Sequence, residues 1–343
     1  MITPNRFVEL ESIESEKILL VNDAFHGKIN NLKFHDIIIF CETLHPLLDE
    51  DIENICQKYA DRFIVIIATR QISKEFETKY NCKIITVRSA DVWYNKLLPK
   101  YDIDFNNKSI EKYFISLNGR GQWNRHALFQ AVLNFNLLDY CYFSYLMTDR
   151  FTEGKQALYD RLNETVGRCW YNEKIDLKKL IDQIPFIHGV SEKVLTDFES
   201  DSYNILDIEQ HRKSFFSVVS ETYIGNYVEP FLSEKTFRAI ACGLPFIISS
   251  APGALAKLKA QGFESFYLIF DETYDHEQSP QIRFEMIIRQ LNEICKLSLN
   301  DINDMYKNIK PVCEHNYNYF WYEWQTVYDR EIIEVKSHLE GIL

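Results

Sequence analysis

The chain has 343 residues, 46% of them hydrophobic and 26% charged, with a formal net charge of −12. That length exceeds what one core needs and suits two domains. The apolar content excludes a disordered chain, and the acidic balance excludes a protein that coats nucleic-acid phosphates without preference. The N-terminal MITPNRFVELESIESEK lacks an apolar signal region. No run reaches the ~20 apolar residues of a membrane span, so a soluble, cytoplasmic protein of bacterial or phage type is expected (host cytoplasm if viral). The eight cysteines include no CxxC pair and no zinc spacing with histidine, which points to a reducing compartment and no metal site.

Compact apolar runs predict buried parallel strands at Ile18–Val21, Asp36–Phe40, Phe63–Ala68, Lys83–Val87, Tyr113–Leu117 and Tyr140–Tyr145. Helical spacing between them predicts Asp49–Ala60 and Asn124–Phe135 as helices. This alternation is that of a doubly wound α/β sheet, assigned to an N-terminal Rossmann-like acceptor domain over residues 1–150. The stretch 150–212 is polar and turn-punctuated and reads as an inter-domain region with helical excursions. A second α/β pattern follows: strand Ser214–Val219, helix Ser233–Cys242, strand Leu244–Ser249, helix Ala254–Gln261, strand Ser265–Phe270 and helix Pro280–Leu297. Residues 151–315 are assigned to a nucleotide-sugar domain. Leu299–Leu343 reads as helical throughout, with 316–343 expected to cross back to the N-terminal domain.

The segment Tyr227 to Phe266 carries the chemistry. Ser233 stands as an N-cap before a run with Phe237, Ile240 and Ala241 on one face. Glu234 and Lys235 fall in the first turn, where free N–H groups and the helix dipole favour a phosphate. A carboxylate there can take two ribose hydroxyls, and a lysine adds a point charge. Gly243 ends the helix, and Pro252-Gly253 turns the chain after the next strand. Taken alone, Ser-Glu-Lys at a helix start is equally ordinary capping chemistry.

The whole string resembles the nucleotide-sugar segment of GT-B glycosyltransferases. It is especially similar to the α1,3-fucosyltransferase group, whose motif runs [Ser/Thr]-Glu-Lys, an apolar helix, then Ala-x-Gly-x-x-Pro. Ser233-Glu234-Lys235 matches the first part. Ala241, Gly243, Pro245 and Phe246 match the second, with one residue fewer between Gly and Pro. The resemblance covers about a third of the chain. It implies two Rossmann-like domains facing a cleft, with Glu234 on the ribose and Lys235 on the phosphate. It implies further donor contacts from Gly253, from Ser220 and Glu221 at the end of Ser214–Tyr223, and from the loop after Tyr113–Leu117. In that loop Asn118 and Arg125, with Arg120 third, would grip the diphosphate from across the cleft. Ordinary capping, salt-bridge or solvated roles are the alternative for each of them.

An inverting transferase needs a base for the acceptor hydroxyl. Glu42, after Asp36–Phe40, and Asp23, after Ile18–Val21, are the candidates, Glu42 being preferred; a plain loop carboxylate is the alternative for both. The one Asp-x-Asp string, Asp102-Ile103-Asp104, follows no apolar strand and reads as a polar loop, so no metal and no cofactor beyond the nucleotide-sugar are expected. The acceptor would be a surface glycan or hydroxymethylated phage DNA, the latter along a rim of Lys96, Lys100, Lys108 and Lys112. The aromatic run Tyr317, Tyr319, Phe320, Trp321, Tyr322 and Trp324 reads as packing rather than as a stacking platform. A non-catalytic nucleotide-binding α/β protein is the second reading. A dehydrogenase is disfavoured, because NDAFHG rather than GxGxxG follows the first strand. Oligomeric state is not indicated.

Overall fold

The computed structural model of the chain describes residues 18–21, 37–41, 49–68, 72–87, 90–119, 121–146, 182–190, 208–222, 224–225 and 230–340. It is an α/β protein that divides into two units, Met1–Trp93 with Tyr322–Leu343, and Tyr94–Trp321.

In the first unit four strands, β1 (Ile18–Val21), β2 (Ile37–Cys41), β3 (Phe63–Ala68) and β4 (Cys82–Thr86), form a parallel sheet in that order. Ile38 pairs with Ile64, and Ile64 with Cys82. β3 is buried along all but its first residue, as an inner parallel strand must be when both faces are covered. Helix α1 (Asp49–Lys58) brings Ile52, Ile55 and Cys56 into one core with Ile64 and Ile66. The short α2 (Glu75–Lys79) is tied to α1 where the Lys79 ammonium and the Tyr80 hydroxyl both donate to Glu53 Oε1. A 3-10 turn, Ala90–Val92, closes the segment.

The second unit opens with α3 (Trp93–Leu97), whose Tyr94 ring stacks on Phe237 at 5.1 Å. Next come β5 (Lys112–Asn118), α4 (Trp123–Asn134), β6 (Cys141–Tyr145), β7 (Phe186–His188) and α5 (Ile208–Arg212). They are followed by β8 (Ser214–Ser220), α6 (Glu234–Ala241), β9 (Phe246–Ser249), α7 (Ala254–Ala260), α8 (Pro280–Ile294) and α9 (Leu299–Asn318). The sheet order is β7-β6-β5-β8-β9, with β7 alone antiparallel. From β5 the chain steps to β6 on one side; from β8 it steps to β9 on the other. The reversal therefore falls between β5 and β8. Phe114 faces Phe216 across that pair, and the Ser116 hydroxyl donates to Val218 O at 2.9 Å.

Local chemistry explains the element ends. Ser279 caps α8 with Pro280 in its first turn, and Ser298 with Asp301 forms a capping box on α9. Gly243, at φ +63, ends α6; a Cβ there would lie 2.7 Å from the Phe105 ring. A π-helical turn, Tyr319–Glu323, leads from α9 into α10 (Trp324–Glu340). α10 buries Trp324, Tyr328, Ile332 and Val335 along one face, packs against the Ala90–Val92 turn, and is grouped with the first unit. Among the described residues no helix is long and apolar enough to cross a membrane.

Three expectations change. The strands read at Tyr113–Leu117 and Tyr140–Tyr145 do not join the first four; as β5 and β6 they lie in the sheet with β8 and β9, and the two-domain division at residue 150 moves to Trp93/Tyr94. Strand–helix alternation reports periodicity but not which sheet edge a strand joins, and the polar YDIDFNN loop was the break that mattered. Ser265–Phe270 is not a strand: Phe266 and Phe270 are buried while Tyr267 and Leu268 are exposed, a one-turn spacing closed by Phe270 N–H to Phe266 O. β7 went unread because three residues carry no period. Most of 150–212 lies outside the described residues.

Candidate functional site

In doubly wound sheets, ligands gather at the strand C-termini where the winding reverses. Here that point lies between the ends of β5, at Asn118, and β8, at Ser220. The helices that follow, α4 and α6, start beside it. The first turn of α4 is stitched to the end of β8: Asn124 Nδ2 donates to Glu221 O at 3.0 Å, and Arg125 Nη2 to Ser220 O at 3.1 Å.

The start of α6 is fixed by Glu221, which is fully buried. Its Oε1 accepts from Ser233 N–H at 2.9 Å and from the Thr236 hydroxyl at 2.6 Å, and its Oε2 from the Ser233 hydroxyl at 2.5 Å. Ser233 in turn caps the helix by accepting from Lys235 N–H. Beyond this clamp Glu234 and Lys235 project with side chains each 24% exposed, their ammonium–carboxylate separation 2.7 Å. Lys235 Nζ also reaches Ser233 Oγ at 3.0 Å. Burial opposes ionisation of Glu234, but the Lys235 ammonium and Arg238 outweigh it and hold its carboxyl down at about 2. The first turn of α6 is thus a charged pair with a second cation one turn on.

A pocket borders this turn. It is lined by Ile115 and Leu117 of β5, Ser217 to Ser220 of β8, His211 of α5, and Lys235 and Arg238 of α6. Among the described residues neither the buried Ser220 hydroxyl nor Arg238 Nε has a hydrogen-bond partner.

The sequence-expected donor residues divide into two groups. Ser220, Glu234 and Lys235 meet at this point. Asn118 and Arg125 are each 2% exposed and act within the sheet: Asn118 Nδ2 donates to Ser116 Oγ, and Arg125 holds the Ser220 carbonyl. The expectation that this loop grips a diphosphate from across a cleft is corrected; it sits on the neighbouring strand of the same sheet. Glu221 and Ser233 are the clamp described above, not surfaces for a nucleotide. Gly253 spends its N–H on Asp275 O at 2.7 Å. The Asp275 carboxylate accepts from Leu255 and Ala256 N–H groups, so the N-terminus of α7 is already filled by the protein's own anion. Arg120, Glu42 and Asp23 lie outside the described residues.

Asp104 closes a tight turn by accepting from the N–H groups of Asn106 and Asn107. Among the described residues no group of three or more metal-ligating side chains occurs. Lys108 and Lys112 are committed to the carbonyls of Arg212 and Asp139, which removes half of the lysine rim. In the aromatic run Phe320 is fully buried and stacks on Phe237, and Tyr319 donates to Gln261 O. Sequence reasoning missed Arg238 and His211. Arg238 stands one turn after Lys235, and that i, i+3 spacing was the available signal.

Comparison with known proteins finds no family model that matches this chain and no significant match among curated proteins.

Proposed function

We propose that the protein is a metal-independent glycosyltransferase of the GT-B kind, taking a sugar from a nucleotide diphosphate to an acceptor hydroxyl. The observation that carries this is the placement of Glu234, Lys235 and the adjoining pocket where the second sheet reverses its winding. In the reaction the acceptor oxygen attacks the anomeric carbon, the bond from that carbon to the diphosphate oxygen breaks, and a base takes the hydroxyl proton. Glu42 or Asp23 is assigned that proton from sequence. Lys235 meets the charge that develops on the departing diphosphate, the task a divalent metal performs in other transferases. Turnover that survives EDTA is the expected result. Of the two acceptors, a glycan is favoured over hydroxymethylated DNA, since Lys108 and Lys112 already serve backbone carbonyls.

The pairing of Lys235 with Glu234 at 2.7 Å favours a second reading, in which the site holds a nucleotide without catalysing transfer. Donor hydrolysis in the absence of acceptor separates the two. The test of the site is a thermal-shift screen against UDP-, GDP-, CMP- and dTDP-sugars: a donor at 100 Kd stabilises by about 2.7 kcal/mol. Lys235→Ala is expected to abolish that shift. Full donor affinity and turnover in Lys235→Ala would overturn the assignment.

A further inference from the structure

A buried cation that no motif includes stands at the edge of the sheet that carries the site. Arg283, at the end of the first turn of α8, is 3% exposed, and each of its three side-chain nitrogens donates to the carbonyl of a different turn. We propose that Arg283 is a positioning residue: by holding the turns that follow β8 and β9 it sets Glu221, and through Glu221 the first turn of α6 with Glu234 and Lys235. The proposal rests on the nucleotide-sugar reading in one respect, that Glu234 and Lys235 are the groups that meet the donor.

The hydrogen bonds trace the path. Arg283 Nε donates to Ser250 O at 2.9 Å, Nη2 to Ile224 O, and Nη1 to Glu277 O just past the 3-10 turn Glu272–His276. Ser250 follows Ser249, the last residue of β9, and Ser249 O accepts from Glu221 N–H at 2.9 Å. Ile224 stands three residues beyond Glu221 on the other side. The guanidinium therefore braces the backbone of Glu221 through both neighbouring turns. The Glu221 carboxylate in turn accepts from Ser233 N–H and the Thr236 hydroxyl, which fixes where α6 begins. The far end of the same β8–α6 connection is held from α7, where the Lys257 ammonium donates to Pro230 O at 3.2 Å. Burial opposes the Arg283 charge and brings it down to about 10 from 12.5, with Asp275 and Glu277 as the negative charges that favour it. A cation taken out of water is a costly way to stabilise a fold, and an apolar side chain of similar volume often serves as well. An apolar side chain cannot fix three carbonyls relative to one another, as the planar fork of a guanidinium does. The turns it joins after β8 and β9 leave the C-terminal edge of the sheet, the edge at which α/β proteins bind their ligands.

The test is backbone hydrogen exchange of the full chain in wild type, Arg283→Met and Arg283→Lys, beside calorimetric binding of UDP-, GDP-, CMP- and dTDP-sugars. Arg283→Met keeps the apolar stem and removes the fork. It is expected to speed exchange over residues 231–236 at least about tenfold, while amides of β5 stay within about twofold of wild type. Donor affinity is expected to fall at least about tenfold, because a small displacement of the contacting groups is enough to lose that much. Arg283→Lys is expected to recover part of both effects, since one ammonium serves one carbonyl rather than three. A residue that only stabilises the fold would loosen β5 and the start of α6 together. Equal exchange over residues 231–236 in wild type and Arg283→Met, or a rise of the same size in β5, overturns the positioning role. If circular dichroism shows Arg283→Met unfolded, Arg283→Lys is read alone by the same comparison of α6 with β5. The two proposals fail separately. If the wild type binds none of the four nucleotide-sugars, glycosyl transfer falls and the exchange pattern decides the role of Arg283. If donor binding is lost in Lys235→Ala and unchanged in Arg283→Met, the positioning role falls and glycosyl transfer stands.

Discussion

Removing the Glu221 carboxylate tests the clamp that positions the site. Three donors converge on it inside the fold: Ser233 N–H at 2.9 Å, the Ser233 hydroxyl at 2.5 Å and the Thr236 hydroxyl at 2.6 Å. In Glu221→Ala all three lose their acceptor in a place water does not reach. Each hydrogen bond to a carboxylate contributes about 1.5–3 kcal/mol, and a buried donor left unmade costs about 1–3 kcal/mol. The two hydroxyls can turn towards other acceptors, whereas the N–H cannot. The net loss is therefore about 3–5 kcal/mol rather than the sum of the three. For a unit of this size each kcal/mol moves the midpoint by about 2–4 °C, so Tm falls by about 6–20 °C. Glu221→Gln keeps one acceptor oxygen and is expected to lose about half as much. Calorimetric melting of both variants reads the difference. A loss below about 1 kcal/mol in Glu221→Ala would show that α6 is held by its packing and not by this residue.

Lys108, half-buried over the Tyr306 ring with its ammonium on Arg212 O, is pushed down by burial to about 8 from the ordinary 10.5. The unfolded chain then binds more protons between those values, so this residue's penalty is complete below pH 8 and fades as pH rises towards 10.5. Lys108→Met is expected to stabilise by about 1–2 kcal/mol at pH 7, with the gain vanishing near pH 10.5, read by urea unfolding at both pH values; this allows for the hydrogen bond lost. Glu234 runs the opposite way. Its carboxyl is held at about 2 against an ordinary 4.5, so its contribution is complete above 4.5 and lost as pH falls through 2. Glu234→Gln is expected to flatten that acid limb in a pH series of melting curves; an unchanged limb would place the acid sensitivity elsewhere. Gly262, at φ +100, would set a Cβ 2.5 Å from the Tyr319 hydroxyl, which donates to Gln261 O. Gly262→Ala should therefore cost about 2–4 kcal/mol of unfolding free energy, and a cost under 1 kcal/mol would mean the Tyr319 ring moves freely.

Much of the second unit was legible because local and tertiary signals agree there. Ser233 caps as its hydroxyl and the following run require, and the buried faces of α6 and α8 follow helical spacing. The assignment of β5 and β6 to the wrong sheet has a different cause. Phe114 and Phe216 meet across the sheet, but no property of either residue names the other. Residue type also misdirected the site. Arg125 and Glu221 looked like ligand groups because they are charged residues just past strand ends where the resemblance puts donor contacts, and the structure spends both on its own backbone and caps. Arg238 was passed over because a lysine with a family precedent stood three residues before it.

The join between β5 and β8 has a consequence for how the protein is made. The Ser116 hydroxyl and the Val218 carbonyl it reaches are 102 residues apart in the chain. The two central strands of this sheet cannot meet until β8 has left the ribosome, which makes the second unit a late and comparatively slow folder. The same separation is lenient thermodynamically. Closing a longer connection costs only about 0.6 kcal/mol for each doubling of its length.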